Sequence, residues 1–484
     1  MAMRKSLASI IPVTSLLLAG CAAVGPDYVP PVPSASRDGA RSAFVEGWAP
    51  AFKSDPLPDR WWQLYANPRL DALVEEALGA NTDLRVAAAN LERSRAIVAE
   101  ARARAGVQTG LDAQPSVGEA SNLGIGSPAG VHTTFDMGAS ISYEVDVVGR
   151  IRRGIEAVEA DAGAQAAAYD LAVITVVADV VDAYSGACAA GAQIAVANRS
   201  IALQQQSLAL LERGRRAGVG TPLDIARSAT LLAQLRAAVP RLESSRRAAL
   251  YRLAVLLGRE PKDFPPELVT CSTVPMIRQA LPVGDGAALL RRRPDIREAE
   301  RQLAAATARI GVATADLYPT ISLGASLGST SRSLDSLVDS AAFRFSAGPL
   351  ISWSFPNRRV ARTRIEQANA TSRAALATFD GRVLGALRET ETALATYARD
   401  IEENVRLTTA RDESRKALVL QQRLARGGLA SGLETLDAQR TLAQAEAALA
   451  ASETTIATDR IRLFLALGGG WSDPAVRGAG GNAN

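Results

Sequence analysis

Between Thr134 and Asp146 apolar and polar residues alternate. Phe135, Met137, Ala139, Ile141, Tyr143 and Val145 fall on one face, and Thr134, Asp136, Gly138, Ser140, Ser142, Glu144 and Asp146 on the other. A period of two over this length predicts a strand. Phe343 to Phe355 repeats the pattern, with Phe343, Phe345, Ala347, Ile351, Trp353 and Phe355 opposite Arg344, Ser346, Gly348, Ser352 and Ser354. The shorter alternating runs Val107 to Val117 and Thr320 to Gly328 supply partners, which predicts two hairpins with loops around Gly124 to His132 and Ser329 to Ala342. From Ile151 to Arg215 the period changes. Proline is absent, alanine dominates, and Leu171, Ile174, Val177, Val181 and Tyr184 recur at helical spacing. One helix over that span would be roughly 95 Å long at about 1.5 Å per residue. Arg359 to Arg426 matches it. Glycine-rich breaks, Gly218-Val219-Gly220-Thr221 and Gly427-Gly428-Leu429-Ala430-Ser431-Gly432, then turn each chain back into a second helix. Two long helical hairpins are predicted, the first with Pro240 in its returning arm, where it should kink or interrupt the helix.

The order helix, strand, strand, very long helix, helix occurs twice. At a shift of 210 residues Ser142-Tyr143 falls on Ser352-Trp353, Arg213 on Arg423, Gly218 on Gly428, Leu223 on Leu433, and Leu257-Gly258 on Leu467-Gly468. Earlier the shift is 212, pairing Asp83-Leu84-Arg85 with Asp295-Ile296-Arg297. The chain is a tandem duplication. Its organisation is read as 1–20 an export signal, 21–67 an N-terminal segment, 68–258 the first repeat, 259–284 a linker, 285–470 the second repeat and 471–484 a tail.

A half-apolar strand commonly covers a soluble core. Here the opposite face is rich in glycine and serine, aromatics gather toward the strand ends, and the flanking helices are too long to wrap a globular sheet. These features suit a lipid-facing wall with a wet lumen. Four strands cannot close a barrel, and an open edge in lipid leaves backbone groups without partners. Three copies would pool twelve strands, with a helical tube below them. The expected fold is therefore mixed α and β, mostly helical: a trimeric 12-strand transmembrane β-barrel continued by a long periplasmic α-helical barrel, with an internal two-fold repeat.

Composition narrows the functional classes. Arg4 and Lys5 precede an apolar run, Ile10 to Leu18, too short to span a bilayer, and Leu18-Ala19-Gly20-Cys21 has the form of a lipoprotein processing site. Cys21 is the expected lipidation site, and Ala22 after it favours sorting to the outer membrane. No other cofactor is indicated. Net charge is +4, and +2 without Arg4 and Lys5, too even to argue for nucleic acid. Cys188 and Cys271 lack metal-site spacing and do not form a disulfide framework; whether they pair is left open. One histidine, no phosphate-binding glycine loop and no nucleophile with a partner set argue against an enzyme. A structural coiled-coil lipoprotein would explain the helices but not four amphipathic strands.

The mature chain resembles, over essentially its whole length, the outer-membrane factor family of TolC-like channels, especially its lipoprotein branch with OprM and the NodT-type proteins. The resemblance is carried by Val24-Gly25-Pro26-Asp27-Tyr28, WQLYANPRL from Trp62 to Leu70, RRPDIREA from Arg292 to Ala299, ATADLYPTISLGASLG from Ala313 to Gly328, and LDAQR from Leu436 to Arg440. It implies a homotrimer in outer-membrane lipid, working with a periplasmic adaptor and an inner-membrane pump of the proton-driven resistance-nodulation-division (RND) type. Type I protein secretion is the alternative partnership. It also implies an equatorial girdle from Ala22 to Asn67, Arg259 to Gly284 and the tail after Gly470. The periplasmic gate maps to Glu434 and Asp437, with Leu433 and Leu436 as an apolar constriction. Two acidic rings there would favour cations, since carboxylates about 4 Å apart repel by about 1 kcal/mol in water. A solvated helix N-terminus accounts for the same acids. Arg213, Gly218, Thr221, Arg423, Gly428 and Ser431 map to adaptor-contacting tips, where capping alone would also select them.

Overall fold

The computed structural model describes residues 23–31, 43–119, 131–218, 220–353, 355, 358–427, 429 and 431–469. The export signal, Cys21, Gly428 and the tail 471–484 lie outside the described residues, as does most of the loop at Gly124. In chain order the elements are β1 (Phe52–Lys53), α1 (Pro68–Ala80), α2 (Thr82–Arg104), β2 (Gln108–Gly118), β3 (His132–Val145), α3 (Arg150–Arg216), α4 (Pro222–Leu256), β4 (Leu281–Pro282), α5 (Gly286–Arg292), α6 (Pro294–Ala315), β5 (Thr320–Ser331), β6 (Phe343–Ser352), α7 (Arg358–Arg426) and α8 (Gly432–Ala466). The duplicated order read from the sequence is present, and α4 and α8 keep the shift of 210. Among the described residues two compact units each draw on both repeats: one falls within 23–31, 90–166 and 298–379, the other within 43–89, 167–297 and 380–469.

The first unit contains an antiparallel sheet in the order β2-β3-β5-β6. Its middle pair joins the two repeats, with Gly138 opposite Gly328 and Ile141 opposite Ala325. The face bearing Leu111, Met137, Ile141, Leu323, Leu327, Phe343, Phe345 and Ile351 is exposed throughout, from 47% at Ile141 to 88% at Leu111. No described strand pairs with the outer edge of β2 or β6. β6 stops at Ser352, short of the expected Phe355, because its partner β5 begins at Thr320, after Pro319, and offers no further residue. β5 runs three residues further than expected, to Ser331, so the following loop shortens around a 3-10 turn at Asp335–Val338. At the foot of β3, Asp146 accepts from the amides of Ile151 and Arg152 at 3.1 and 3.0 Å, capping the start of α3.

The second unit owns the main core. In α1, Leu70, Leu73, Val74 and Ala77 form one fully buried stripe, and Asn67 caps it by accepting from the amides of Arg69 and Leu70. Trp61 and Trp62 are 1% exposed, with Trp61 tilted against Phe464 at 4.6 Å. Each ring removes some 150–250 Å² from water, so this cluster dominates the packing. α3 includes a stretch apolar enough to cross a membrane by composition, but 67% of it is buried here, where Val173 to Cys188 pack in the core. β1 and β4 pair in parallel, fastening the N-terminal segment to the linker.

Two details depart from expectation or resolve it. Pro240 does not interrupt α4, which runs unbroken through it. Pro240 and Arg236, whose carbonyl loses its donor, are both exposed, which lowers the cost of leaving that carbonyl without a helical partner. Cys188 and Cys271 form a disulfide, with 4.8 Å between their Cα atoms. Gly191, buried one turn along α3, makes room for it, since an added Cβ would overlap the Cys271 carbonyl oxygen.

Candidate functional site: tips, conduit wall and anchor

At the second tip, α7 ends with the Gly427 amide donating to the Arg423 carbonyl at 3.1 Å and the Leu429 amide to the Leu424 carbonyl at 2.9 Å. α8 then starts with a reciprocal cap. The Ser431 hydroxyl accepts from the Glu434 amide at 3.3 Å, and the Glu434 carboxylate accepts from the Ser431 amide at 3.0 Å. Gln421 donates to the same carboxylate at 3.1 Å. One turn further Asp437 holds Arg440 at 2.5 Å, both exposed. Leu433 is exposed and Leu436 half-buried. Leu433, Glu434 and Asp437 line one groove of about 550 Å³ with Ser414, Ala417, Ala438 and Thr441. Three of the four expected gate residues therefore share a surface, while Leu436 is not among its lining.

The first tip is built alike. Thr221 accepts from the Asp224 amide at 3.2 Å and donates its hydroxyl to the Asp224 carboxylate at 2.7 Å. The hydroxyl and amide of Thr221 hold this carboxyl below its usual range, so it stays ionised. Gly218 and Gly220 adopt φ of +84° and +94°, which favours glycine. Arg213 and Arg423 are exposed one turn before the breaks. Polar contacts that sequence reasoning missed join the arms of the first hairpin to each other and to the second hairpin. Buried Gln204 donates to Ser228, and Gln439 to Ser207. Only the pairing of helices brings these polar residues together, so no local pattern announces them.

In the first unit the residues after Cys21 are docked. The Val24 amide donates to the Val148 carbonyl at 2.9 Å. Arg153, 5% exposed, donates to the Val24 carbonyl and to the Asp27 and Glu156 carboxylates. Gly25, at φ +88°, approaches so closely that a Cβ would sit 2.5 Å from the Gly311 Cα. Tyr28 donates to Glu300 at 2.6 Å, and burial followed by that carboxylate keeps the phenol's pKa well above its ordinary value, so it remains a donor. The Val-Gly-Pro-Asp-Tyr motif is thus a docking sequence for the segment behind the expected lipid.

The model for the family described as outer membrane efflux protein matches residues 73–259 and again 287–469. The chain belongs to that family. Among curated relatives of this outer membrane efflux protein, the pyoverdine export outer membrane protein OpmQ of Pseudomonas putida is 32% identical, covering 88% of this chain and 92% of its own. The toluene efflux pump outer membrane protein TtgI of the same species is 31% identical over 96% and 98%. Among solved structures, the outer-membrane channel OprN aligns with a TM-score of 0.86 at 35% identity, covering 93% of this chain and 99% of that one. The open-state outer membrane channel MtrE of Neisseria gonorrhoeae aligns at 0.79 and 26% over 93% and 98%. The fold is that of the TolC-like outer-membrane channels, the location is the outer membrane, and the family is one of channel proteins rather than enzymes.

Two arginines of the second unit also went unseen as positioning residues of this efflux protein. Arg460, 2% exposed, lies 5.7 and 5.8 Å from the Tyr65 and Tyr397 rings. Arg293, from RRPDIREA, holds Asp295, Glu389 and the Ala466 carbonyl. Near them Asp400 faces Asp459, whose carboxylate raises the Asp400 pKa to about 6, with burial and Glu403 adding to it. The folded chain therefore binds a proton that the unfolded chain, at about 3.9, does not. This stabilisation is full below the unfolded value and is lost as pH rises through about 6. We expect a higher melting temperature at pH 5 than at pH 7.5. Asp400→Asn should add about 1 kcal/mol at pH 7.5, discounted for solvent, and flatten the pH dependence. A melting profile unchanged by Asp400→Asn would refute the shared proton.

Proposed function

We propose that three copies of this chain close one twelve-stranded barrel and one helical tube, which conduct drugs or other small molecules passively out of the cell. The observation that carries the reading is the sheet: an exposed apolar face with two edges that no described strand pairs. In lipid such edges leave amides and carbonyls unbonded at several kcal/mol each, and sister strands around a common axis remove that cost. The helical tips meet a periplasmic adaptor through Arg213, Thr221, Arg423 and Ser431, and the adaptor joins the channel to a proton-driven inner-membrane pump of the RND type. Asp437, Leu433 and Glu434 form the gate at the second tip, and a lipid on Cys21 anchors the docked N-terminal segment. Relatives named for pyoverdine export and toluene efflux support small organic molecules as the cargo class.

The test is the purified full-length chain. It should run as a heat-modifiable trimer, give discrete conductance steps in a planar bilayer, and, when deleted, sensitise cells to small organic toxicants. A stable monomer without conductance overturns the reading. Unchanged toxicant sensitivity with loss of a secreted protein would move the cargo to type I secretion.

A further inference from the structure

Among the paired residues of the sheet, one rung crosses all four strands in register: Asp112 on β2, Gly138 on β3, Gly328 on β5 and Arg344 on β6. Its two ends are charged and its two middle positions have no side chain. The charged groups use that space. A Cβ on Gly138 would lie 2.9 Å from an Asp112 carboxylate oxygen, and one on Gly328 would lie 3.2 Å from the Arg344 guanidinium carbon. Both side chains therefore lie across the sheet surface. Arg344 donates to Asp136 at 2.5 Å and to Thr330 at 3.1 Å, and Thr330 donates to Asp136 at 2.6 Å. All of these residues occupy the face opposite Met137, Leu327 and Phe345, which is the lumenal face once the barrel is closed. The only other acid on that face of the described strands is Glu144, which Arg150 neutralises through two bonds at 2.6 and 2.8 Å.

We propose that Asp112, Asp136 and Arg344 form a selectivity layer inside the barrel, separate from the acids at the helical tips. The inference rests on the closed-barrel reading. Two carboxylates and one guanidinium leave one negative charge per subunit at this level, repeated around the axis. Rings of side-chain charge bias which ions pass a pore. The glycines keep the layer flat, so the bias acts on the permeating solute without a bulky plug. The layer favours cations and cationic small molecules over anions. Its reach is set by salt, about 10 Å at 0.1 M and about 3 Å at 1 M, so the preference should be strong in dilute salt and fade in concentrated salt.

The full-length wild type, Asp112→Asn/Asp136→Asn, Arg344→Gln and Glu434→Gln/Asp437→Asn are compared in planar bilayers under a KCl gradient. At 0.1 M the wild type should prefer potassium over chloride. The double aspartate variant should lose that preference, by about threefold or more in the permeability ratio, and Arg344→Gln should increase it. Near 1 M the variants should converge. Arg344→Gln changes the charge in the opposite direction and keeps the test decisive should the double variant not assemble. The proposal fails when conducting barrel variants keep the wild-type reversal potential, or when only the Glu434→Gln/Asp437→Asn variant moves it. Absence of conductance in every protein, the wild type included, removes the closed barrel and this layer together, an outcome distinct from the first.

Discussion

Phe345→Arg should abolish the membrane-inserted trimer, while Ser346→Arg, one residue along, should assemble normally and conduct less. Phe345 is 78% exposed on the apolar face of β6, where an arginine facing lipid costs up to about 2–4 kcal/mol per copy. Three copies make that comparable to the whole stability of an ordinary domain. Ser346 points the other way, its hydroxyl 2.8 Å from that of Ser326, so an arginine there meets water. Heat-modifiable trimer in outer-membrane fractions, followed by single-channel current, reads both effects. Equal tolerance of the two changes would mean that the apolar face does not meet lipid.

Gly191→Ala should destabilise the second unit by about 3 kcal/mol and lower the yield of oxidised protein. The alanine methyl would occupy the position of the Cys271 carbonyl oxygen, and Cys271 cannot retreat freely because it is bonded to Cys188 on the same helix. Breaking the bridge alone, as Cys188→Ser/Cys271→Ser, should cost up to about 4.5 kcal/mol from the loop entropy of 83 residues. The two changes share one contact, so their effects should be less than additive, and a double-mutant cycle on chemical denaturation measures the coupling. Additive losses would show that Gly191 does not act through the linker.

Strand phase and helix limits were legible in the sequence because they depend on neighbours along the chain. The helix expected from Ile151 to Arg215 is Arg150–Arg216, and in β3 and β6 the apolar residues assigned to one face share it, while Leu350 falls on the other. The caps were legible for the same reason, since Ser431 and Glu434, like Thr221 and Asp224, are three residues apart. What the sequence left open depends on returns of the chain. The bridge joins residues 83 apart, and no spacing rule brings them together. The close approach of Gly25 to Gly311 and the Gln204 to Ser228 bond likewise exist only once helices are packed. Pro240 does not end the helix, because the carbonyl it deprives of a donor belongs to an exposed residue, and exposure is not written in the sequence. At the second tip the acids were found, but their neighbours were not: Gln421 on Glu434 and Arg440 on Asp437 blunt both charges within a single chain.

The covalent bond makes the two repeats mechanically unequal. It closes a loop that contains the end of α3, the first tip and the whole of α4, whereas among the described residues nothing covalent beyond the backbone ties α8 to α7. The root of the first leaf is riveted, and the second is held by hydrogen bonds and packing that thermal motion can break and remake. Were the tips to splay, the root of the first hairpin would stay tied to the linker while that of the second would be free to shift.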